Sequence, residues 1–567
     1  VRILFLTHAF NSLTQRLYVE LTDLGHEVSV EFDIHDSVTL EAVELFRPHL
    51  ILAPYLRRAI PEAIWRRHLC LVLHPGPVGD RGPSALDWAI MKGEKEWGVT
   101  LLQAEAKMDA GPVWASETFP LRVAKKSSLY RNEVTEAAVR VVRTALDRLP
   151  EYRAGKWQPR AVPLRPMHAL MRQADRAIDW ARDRTATVLA KLHAADGFPG
   201  VQDELFGHAC HLFNARPFPA RGMPGGVLGR VGEGIVRATM DGAVWIGHVK
   251  RQGGIKLPTA LAFAEVEALE ELHGPCAPPF APKDSGEISD IRYEEADAVG
   301  YLHFDFYNGA MGTDACQRLL AAYTAARLRP TRVIVLLGGP DFFSNGLDLN
   351  RIEAADSPAD ESWRNIQAMD DLCQAVIETT THLTVAALQG NAGAGGAFLA
   401  LAADRVWARQ GVILNPHYKN MGNLYGSEYW TYLLPRRVGP DQARRIMDQR
   451  LPLGTTKARK LGFIDDCFGD TPAAFVQETR RRAVALATSP DLSALLASKK
   501  ARRQADEAAK PLEHYRAEEL AHMQRNFYGF DPSYHVARHH FVHKTPHSWT
   551  PRHLARHREL GWTVPRD

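Results

Sequence analysis

Cysteine is scarce: six in 567 residues, at positions 70, 210, 276, 316, 373 and 467, with no Cys-x-x-Cys pair. That spacing excludes a zinc ribbon, an iron–sulfur loop of ordinary spacing and a disulfide framework, and a reducing cytoplasm fits it best. Long hydrophobic runs are missing too. None approaches the ~20 residues that span a bilayer, so no membrane partner is expected. There is no excess of one charge: Lys+Arg number 69 against Asp+Glu 66, a net charge of +3. Such a balance argues against nucleic acid or a membrane surface as the main partner. Hydrophobic residues at 45% and charged residues at 24% are an ordinary globular mixture, which excludes disorder over most of the chain. The length predicts three or four units at roughly 100–200 residues each.

The opening Val1-Arg-Ile-Leu-Phe-Leu-Thr-His reads as a first buried strand rather than a signal peptide, whose apolar centre would be longer. Ile3–Thr7, Val28–Phe32, Leu50–Pro54, Leu71–His74 and Val99–Ala104 read as strands, and the first helix stops at Gly25. This βαβ rhythm predicts a parallel sheet covered by helices, with ligands at the carboxyl ends of strands. Further on, a helix near Ala181–Ala195 precedes short strand candidates punctuated by glycine and Asp241-Gly242, the pattern of a small β-barrel. A proline-rich linker follows at Pro275–Asp284, and a second α/β unit begins near Ile288. The expected organisation is α/β multidomain: 1–163, 164–275, a linker at 276–287, 288–480, and a helical then irregular extension at 481–567.

Cys70-Leu-Val-Leu-His74 places a histidine at the end of a strand, and Asp109 sits in a turn beyond the next one. Neighbouring strand ends in a parallel sheet would bring the two together. A histidine beside a carboxylate supplies oxyanion stabilisation and proton transfer, although a lone strand-end histidine serves packing equally well. Thr7-His-Ala-Phe-Asn11 contains no glycine, which argues against a dinucleotide-binding turn.

His74-Pro, Asp80-Arg-Gly-Pro83, Trp88-Ala-Ile, Gly98-Val-Thr and Met108-Asp-Ala-Gly-Pro112 together resemble the 10-formyltetrahydrofolate-dependent formyltransferase family. Ala177-Ile-Asp-Trp180 and Ala194-Ala-Asp-Gly-Phe-Pro-Gly200 resemble the start of its C-terminal barrel, so the resemblance covers about residues 1–275. It implies His74 as oxyanion donor, Asp109 as proton relay, and Glu105, Ala106, Lys107 and Met108 as the segment facing the folate. Many members carry an asparagine two residues before the histidine; this chain has Val72. It is therefore closer to the hydrolase-type domain of formyltetrahydrofolate dehydrogenase, and the acceptor need not be an amine.

Two glycine-rich segments mark the second half: Asp341-Phe-Phe-Ser-Asn-Gly-Leu-Asp-Leu349, and Gln389-Gly-Asn-Ala-Gly-Ala-Gly-Gly-Ala397 before an apolar helix. Glycine turns that open helices present free N–H groups, and two that converge form an oxyanion hole; close helix packing is the other use of such runs. The pair resembles the crotonase (enoyl-CoA hydratase/isomerase) family, as do Phe306-Tyr-Asn-Gly-Ala-Met311 and Lys457-Ala-Arg-Lys-Leu-Gly-Phe-Ile-Asp465. This implies a coenzyme A thioester with its carbonyl between the N–H groups of Leu347 and Gly395, and CoA contacts from Ser344, Gly346 and Asp348. The two glutamate positions of hydratases hold Phe398 and His417 here, which makes hydration doubtful. The acid–base candidates are His417, Tyr418 and Glu428, with Ser427 expected to cap a helix and Glu428 to lie in its first turn.

His535, His539, His540, His543 and His547 crowd the tail, but no carboxylate or cysteine joins them within that stretch. A structural or surface role, not a metal centre, is the expectation. Ala501–Arg525 reads as one amphipathic packing helix.

A folate formyltransferase joined to an altered crotonase resembles the maturation proteins of [NiFe]-hydrogenase. The resemblance implies a bifunctional enzyme: formyl passes from 10-formyltetrahydrofolate to CoA, and formyl-CoA is split to carbon monoxide and CoA, the monoxide becoming an iron ligand. Hydrogenase maturation proteins would be its partners. The alternatives are hydrolysis of the formyl group to formate, or a non-catalytic folate- and CoA-binding scaffold.

Overall fold

The computed structural model describes residues 1–266, 269–272 and 289–558. Tertiary contacts divide these into two units, one made of 1–272 with 547–558 and the other of 289–546. The linker expected at 276–287 lies outside the described residues.

In the first unit, six apolar runs form one sheet: β1 (Arg2–Thr7), β2 (Glu27–Phe32), β3 (Leu50–Tyr55), β4 (Cys70–His74), β5 (Glu96–Gln103) and β6 (Val113–Pro120). The order is β2-β1-β3-β4-β5-β6. β1 is buried along nearly its whole length, as a strand covered on both faces must be. Asn11 caps the first helix, Ser12–Asp23, by accepting the Thr14 N–H. The asparagine is needed because an exposed helix start leaves N–H groups without partners. The parallel rhythm ends at β4. β5 runs antiparallel to it, with His74 opposite Thr100 and Leu71 opposite Gln103, and β6 is antiparallel to β5. The sheet is therefore mixed rather than parallel throughout, because an apolar run reports burial and carries no information about strand direction.

After the helix Thr185–Ala195 come β7 (Val201–Leu205), β8 (His208–Phe218), β9 (Val227–Val231), β10 (Gly234–Ala238), β11 (Ala243–Arg251) and β12 (Lys256–Pro258). They pair antiparallel in the order β7-β8-β11-β10-β9, with β12 on β11. Val188, Leu192 and Ala195 of the helix pack on the apolar face of this sheet. The chain's last described segment returns to the first sheet. Val30 donates its N–H to the Leu554 carbonyl and Phe32 to the Thr550 hydroxyl. The outer edge of β2 is thereby covered, as an edge strand must be if it is not to pair with other chains.

The second unit alternates between two sheets. β13 (Ile291–Ala296), β14 (Val299–Phe304), β15 (Val333–Gly338), β17 (Leu383–Leu388), β19 (Arg405–Arg409) and β22 (Asp466–Phe468) form one, in the order β13-β14-β15-β17-β19-β22. β16 (Phe342–Ser344), β18 (Asn391–Gly393), β20 (Ile413–Asn415) and β21 (Leu453–Gly454) form the other. Successive pairs β15/β16, β17/β18 and β19/β20 give one strand to each sheet, a repeating turn of a spiral. The expected helix over 501–525 is two, Leu492–Ala509 and Leu512–Tyr528, because Pro511 cannot donate the N–H an uninterrupted helix requires. Among the described residues no helix is long and apolar enough to cross a membrane.

Candidate active sites

His74 ends β4 with its ring buried. Its Nε2 lies 2.8 Å from Oδ2 of Asp80, and its Nδ1 lies 3.6 Å from Oδ2 of Asp109. Because β4 and β5 are antiparallel, Asp109 does not arrive by way of a neighbouring strand end. Gln103 faces the amino end of β4, so the loop of 104–112 must fold back to reach the carboxyl end. Three hydrogen bonds hold it there: Gly82 donates its N–H to Asp109 Oδ2 at 3.0 Å, and Arg81 donates to the Met108 carbonyl from both Nε and Nη2. Asp109 itself takes a left-handed φ of 50°, strain of a kind that persists where the surroundings fix it. Glu105, Ala106, Lys107 and Met108 form the exposed outer part of this loop.

Asp80 is the residue that sequence reasoning passed over, although it stood within the Asp80-Arg-Gly-Pro83 motif. It is 3% exposed and accepts from His74 on one oxygen and from His168 Nε2, at 2.8 Å, on the other. Gly76 lies against this pair. A Cβ there would sit 2.4 Å from Asp80 Oδ2 and 2.5 Å from His74 Nε2, so only glycine fits. With Nε2 committed to Asp80, Nδ1 is the nitrogen of His74 that faces Asp109.

In the second unit the two glycine segments meet. Asn345 N donates to Gly309 O at 2.7 Å, Met311 N donates to Gly346 O at 2.9 Å, and Asn345 Nδ2 donates to Asn308 O at 2.8 Å. The turn 306–311 thus braces the loop that carries Leu347. Ser344 is buried and its hydroxyl accepts the Gly346 N–H. Asp348 caps the helix Leu349–Ala354 by accepting the N–H groups of Asn350 and Arg351. Ser344, Gly346 and Asp348 therefore shape the loop from within. Gly395 is the first residue of the helix Gly395–Leu401, where the N–H has no acceptor inside the helix.

Tyr418 and Glu428 come together. The phenol donates to Glu428 Oε2 at 2.5 Å and to the Ser427 carbonyl at 3.0 Å. Glu428 is 1% exposed, and a Cβ on Gly395 would fall 2.2 Å from its Oε1. The carboxylate is thus pressed against the helix start that offers the Gly395 N–H. Phe398 stacks on Tyr418, with ring centroids 5.4 Å apart and planes 14° from parallel. His417 is buried in the same loop, after β20.

The expected helix start is corrected. The helix is Trp430–Val438, so Glu428 precedes it, and Ser427 does not cap it; its hydroxyl donates to Asp370 Oδ2 at 2.8 Å. Glu428 and Tyr429 both hold left-handed φ values, 59° and 58°, which cost of order 1–3 kcal/mol each in non-glycine residues. Two buried carboxylates that the sequence reading did not identify hold this kink. Asp370 accepts the Glu428 N–H at 2.8 Å, and Glu519 accepts the N–H groups of Tyr429 at 2.9 Å and Thr431 at 2.8 Å. Burial and then the nearby Asp370 charge push the Glu428 carboxyl well above its ordinary range. Burial likewise raises Asp370 to about 7 and Glu519 to about 8. Tyr418 is raised by burial and by Glu428, so its hydroxyl stays a proton donor.

The enoyl-CoA hydratase/isomerase family profile matches residues 302–552, and that of the formyl transferase C-terminal domain matches 170–265. Hydrogenase maturation factor HoxX of Bradyrhizobium diazoefficiens is 54% identical over 566 residues, covering 98% of this chain and 97% of its own. The chain belongs to the HoxX/HypX family of hydrogenase maturation factors. The crystal structure of HypX from Aquifex aeolicus in complex with tetrahydrofolic acid superposes with a TM-score of 0.95 at 49% identity, covering 99% of this chain and 100% of that one. A methionyl-tRNA formyltransferase of Ralstonia nicotianae is 26% identical over 235 residues, 39% of this chain and 69% of its own. A HoxX/HypX chain thus joins a formyltransferase half to a crotonase-type half, and both halves carry the buried polar groups that an enzyme requires.

Proposed function

We propose that the chain supplies carbon monoxide for the iron of [NiFe]-hydrogenase in two steps. The first moves the formyl group of 10-formyltetrahydrofolate to the thiol of CoA. The folate lies along Glu105–Met108. The thiolate adds to the formyl carbon, and the oxyanion that forms is held by His74 through Nδ1, the nitrogen not taken by Asp80. The C–N bond then breaks, and Asp109 passes the thiol proton to the leaving nitrogen. The products are tetrahydrofolate and formyl-CoA.

The second step splits formyl-CoA. Its carbonyl lies between the N–H groups of Leu347 and Gly395. Glu428 removes the formyl proton, the C–S bond breaks, and Tyr418 protonates the sulfur. Carbon monoxide and CoA leave, and no oxidant or reductant is needed. Proton return from Glu428 to Tyr418 resets the pair. The two hydratase glutamate positions hold Phe398 and His417, which argues against ordinary hydration.

The observation that carries this reading is the 2.5 Å contact between the buried Tyr418 and Glu428, beside Gly395. A dry acid–base pair suits a reaction that water would divert to formate. Incubation with 10-formyltetrahydrofolate and CoA, assaying carbon monoxide, formate and tetrahydrofolate together, tests it. Carbon monoxide matching tetrahydrofolate release supports the proposal. Formate in its place supports hydrolysis, and no turnover supports a binding scaffold.

A further inference from the structure

The tail histidines lacked a carboxylate in the sequence around them, and the fold supplies one. His535, His539, His540 and His543 lie on the single helix Ser533–His543. His539 and His543 are one turn apart, with ring centroids 4.1 Å from each other. Glu353, on the helix Leu349–Ala354, reaches across to both. Its Oε1 is 2.8 Å from His539 Nδ1 and 3.3 Å from His543 Nε2. The three ligand atoms lie within 4.8 Å of one another. Ligands at the ~2.0–2.2 Å distances of a tetrahedral zinc ion are about 3.3–3.5 Å apart, so the cluster needs little movement to close on a cation.

We propose that Glu353, His539 and His543 form a binding site for a divalent transition-metal ion of the zinc class. Two imidazoles and one carboxylate select such an ion over magnesium or calcium, which prefer all-oxygen shells. The second carboxylate oxygen, Oε2, accepts from Arg538 Nε at 2.8 Å, and Arg538 in turn contacts His535 Nδ1 at 2.8 Å. This fixes the orientation of Glu353 and leaves Oε1 for the metal, the supporting shell that protein metal sites use. Burial works against the charge on Glu353, but the hydrogen bonds from Arg538 and His539 outweigh it and hold the carboxyl below its ordinary range. It is therefore ready as an anionic ligand. His539 and His543 are 55% and 37% exposed, which leaves the ion's fourth position open to water or to a donor from another molecule. Without metal, both rings must point an N–H at the same oxygen. A cation replaces those two protons.

The consequence is mechanical as well. Glu353 belongs to the helix whose cap, Asp348, follows Leu347, so a bound ion would clamp that helix to Ser533–His543.

The test is titration of the untagged full-length chain with zinc chloride, read by calorimetry, together with the visible spectrum of the cobalt(II) form. One ion per chain is expected, with cobalt bands of a low-coordinate nitrogen–oxygen site. His539→Ala and His543→Ala should each weaken binding by roughly 10-fold or more, and Glu353→Gln comparably, while His540→Ala leaves it unchanged. Circular dichroism of the metal-free variants shows whether each is folded. If His539→Ala unfolds the chain, the milder His539→Gln replaces it in the same titration. Absence of saturable binding overturns the proposal. So does binding that survives the His539/His543 double substitution in a folded chain, or that is lost equally in His540→Ala.

Discussion

Tyr418 and Glu428 share a hydrogen bond of 2.5 Å, and the other oxygen of Glu428 lies where a side chain on Gly395 would have to be. Tyr418→Phe and Glu428→Gln should each lower carbon monoxide formation by roughly 10²–10⁴, the scale of a lost acid or base. Gly395→Ala should do the same without touching either polar group, by displacing the carboxylate. In all three, tetrahydrofolate release should continue and formyl-CoA should accumulate, measurable by mass spectrometry. Variants that still make carbon monoxide at the parent rate, or that stop consuming formylfolate, would show that the two halves do not divide the work in this way.

The first half makes a separate prediction. His74→Ala should cost about 10²–10³ in tetrahydrofolate release, the value of an oxyanion donor. Asp109→Asn should impair transfer while leaving folate binding measurable by fluorescence. Gly76→Ala is the sharper test. Its methyl group would force apart Asp80 and His74, so activity should fall although no ionisable group is removed. Near-normal turnover in Gly76→Ala would mean that the Asp80–His74 contact does not matter.

Much of this was legible in the residues. The strand-end position of His74 and the two glycine segments follow from motifs with local meaning; Tyr418 and Glu428 stood beside His417 as candidates through the family resemblance, and only the fold pairs them. What was hidden depends on long-range packing. Asp80 was in plain view, but nothing in its neighbours says that it faces His74. Asp370 has a weak signal: it falls on the apolar stripe of the helix Pro358–Ile377, with Ile366, Cys373 and Ile377 also buried, where a carboxylate without a purpose is costly. Glu519 repeats this in the helix Leu512–Tyr528, buried along with Met523 and Phe527. Glu353 carries no such mark, because its partners lie 186 and 190 residues away. The left-handed pair Glu428 and Tyr429 also escaped, since the sequence there reads as an ordinary helix start and only the buried acceptors override it.

The raised carboxyl of Glu428 has a pH consequence. A base acts in its ionised form, so carbon monoxide formation should rise with pH through the folded-state pKa, which burial and Asp370 lift well above the ordinary range. The acid limb of the rate profile should therefore lie well above the range near 4.3 where a solvated glutamate titrates. Asp370→Asn removes the adjacent negative charge while keeping an oxygen for the Glu428 N–H, so the limb should move to lower pH. Profiles of carbon monoxide release at saturating formyl-CoA decide the point. A limb that stays in place in Asp370→Asn would assign the titration to another group.

The last expectation concerns the return of the chain to β2. Glu31 and His557 are both fully buried, with His557 Nε2 at 2.8 Å from Glu31 Oε2, and Arg558 Nη2 reaches the same oxygen at 2.8 Å. Burial alone would raise the Glu31 carboxyl, but the hydrogen bonds from His557, Thr550 and Arg558 bring it below its ordinary value. The sign follows: a carboxylate with a depressed folded-state pKa adds stability above its unfolded pKa, and loses it as pH falls through the folded one. His557→Ala would remove one of the three side chains that hydrogen-bond this buried carboxylate, at a cost of about 1.5–3 kcal/mol, while Arg558 and Thr550 still pair the charge. The readout is local. Val30 and Phe32 donate their amides to this segment, so hydrogen exchange followed by mass spectrometry of a peptide spanning β2 should show lost protection in His557→Ala and in a chain ending at Pro546. The truncated chain should also aggregate, because the bared edge of β2 can then pair with another copy. Unchanged exchange in β2 after truncation would mean that the segment lies on the strand without stabilising it.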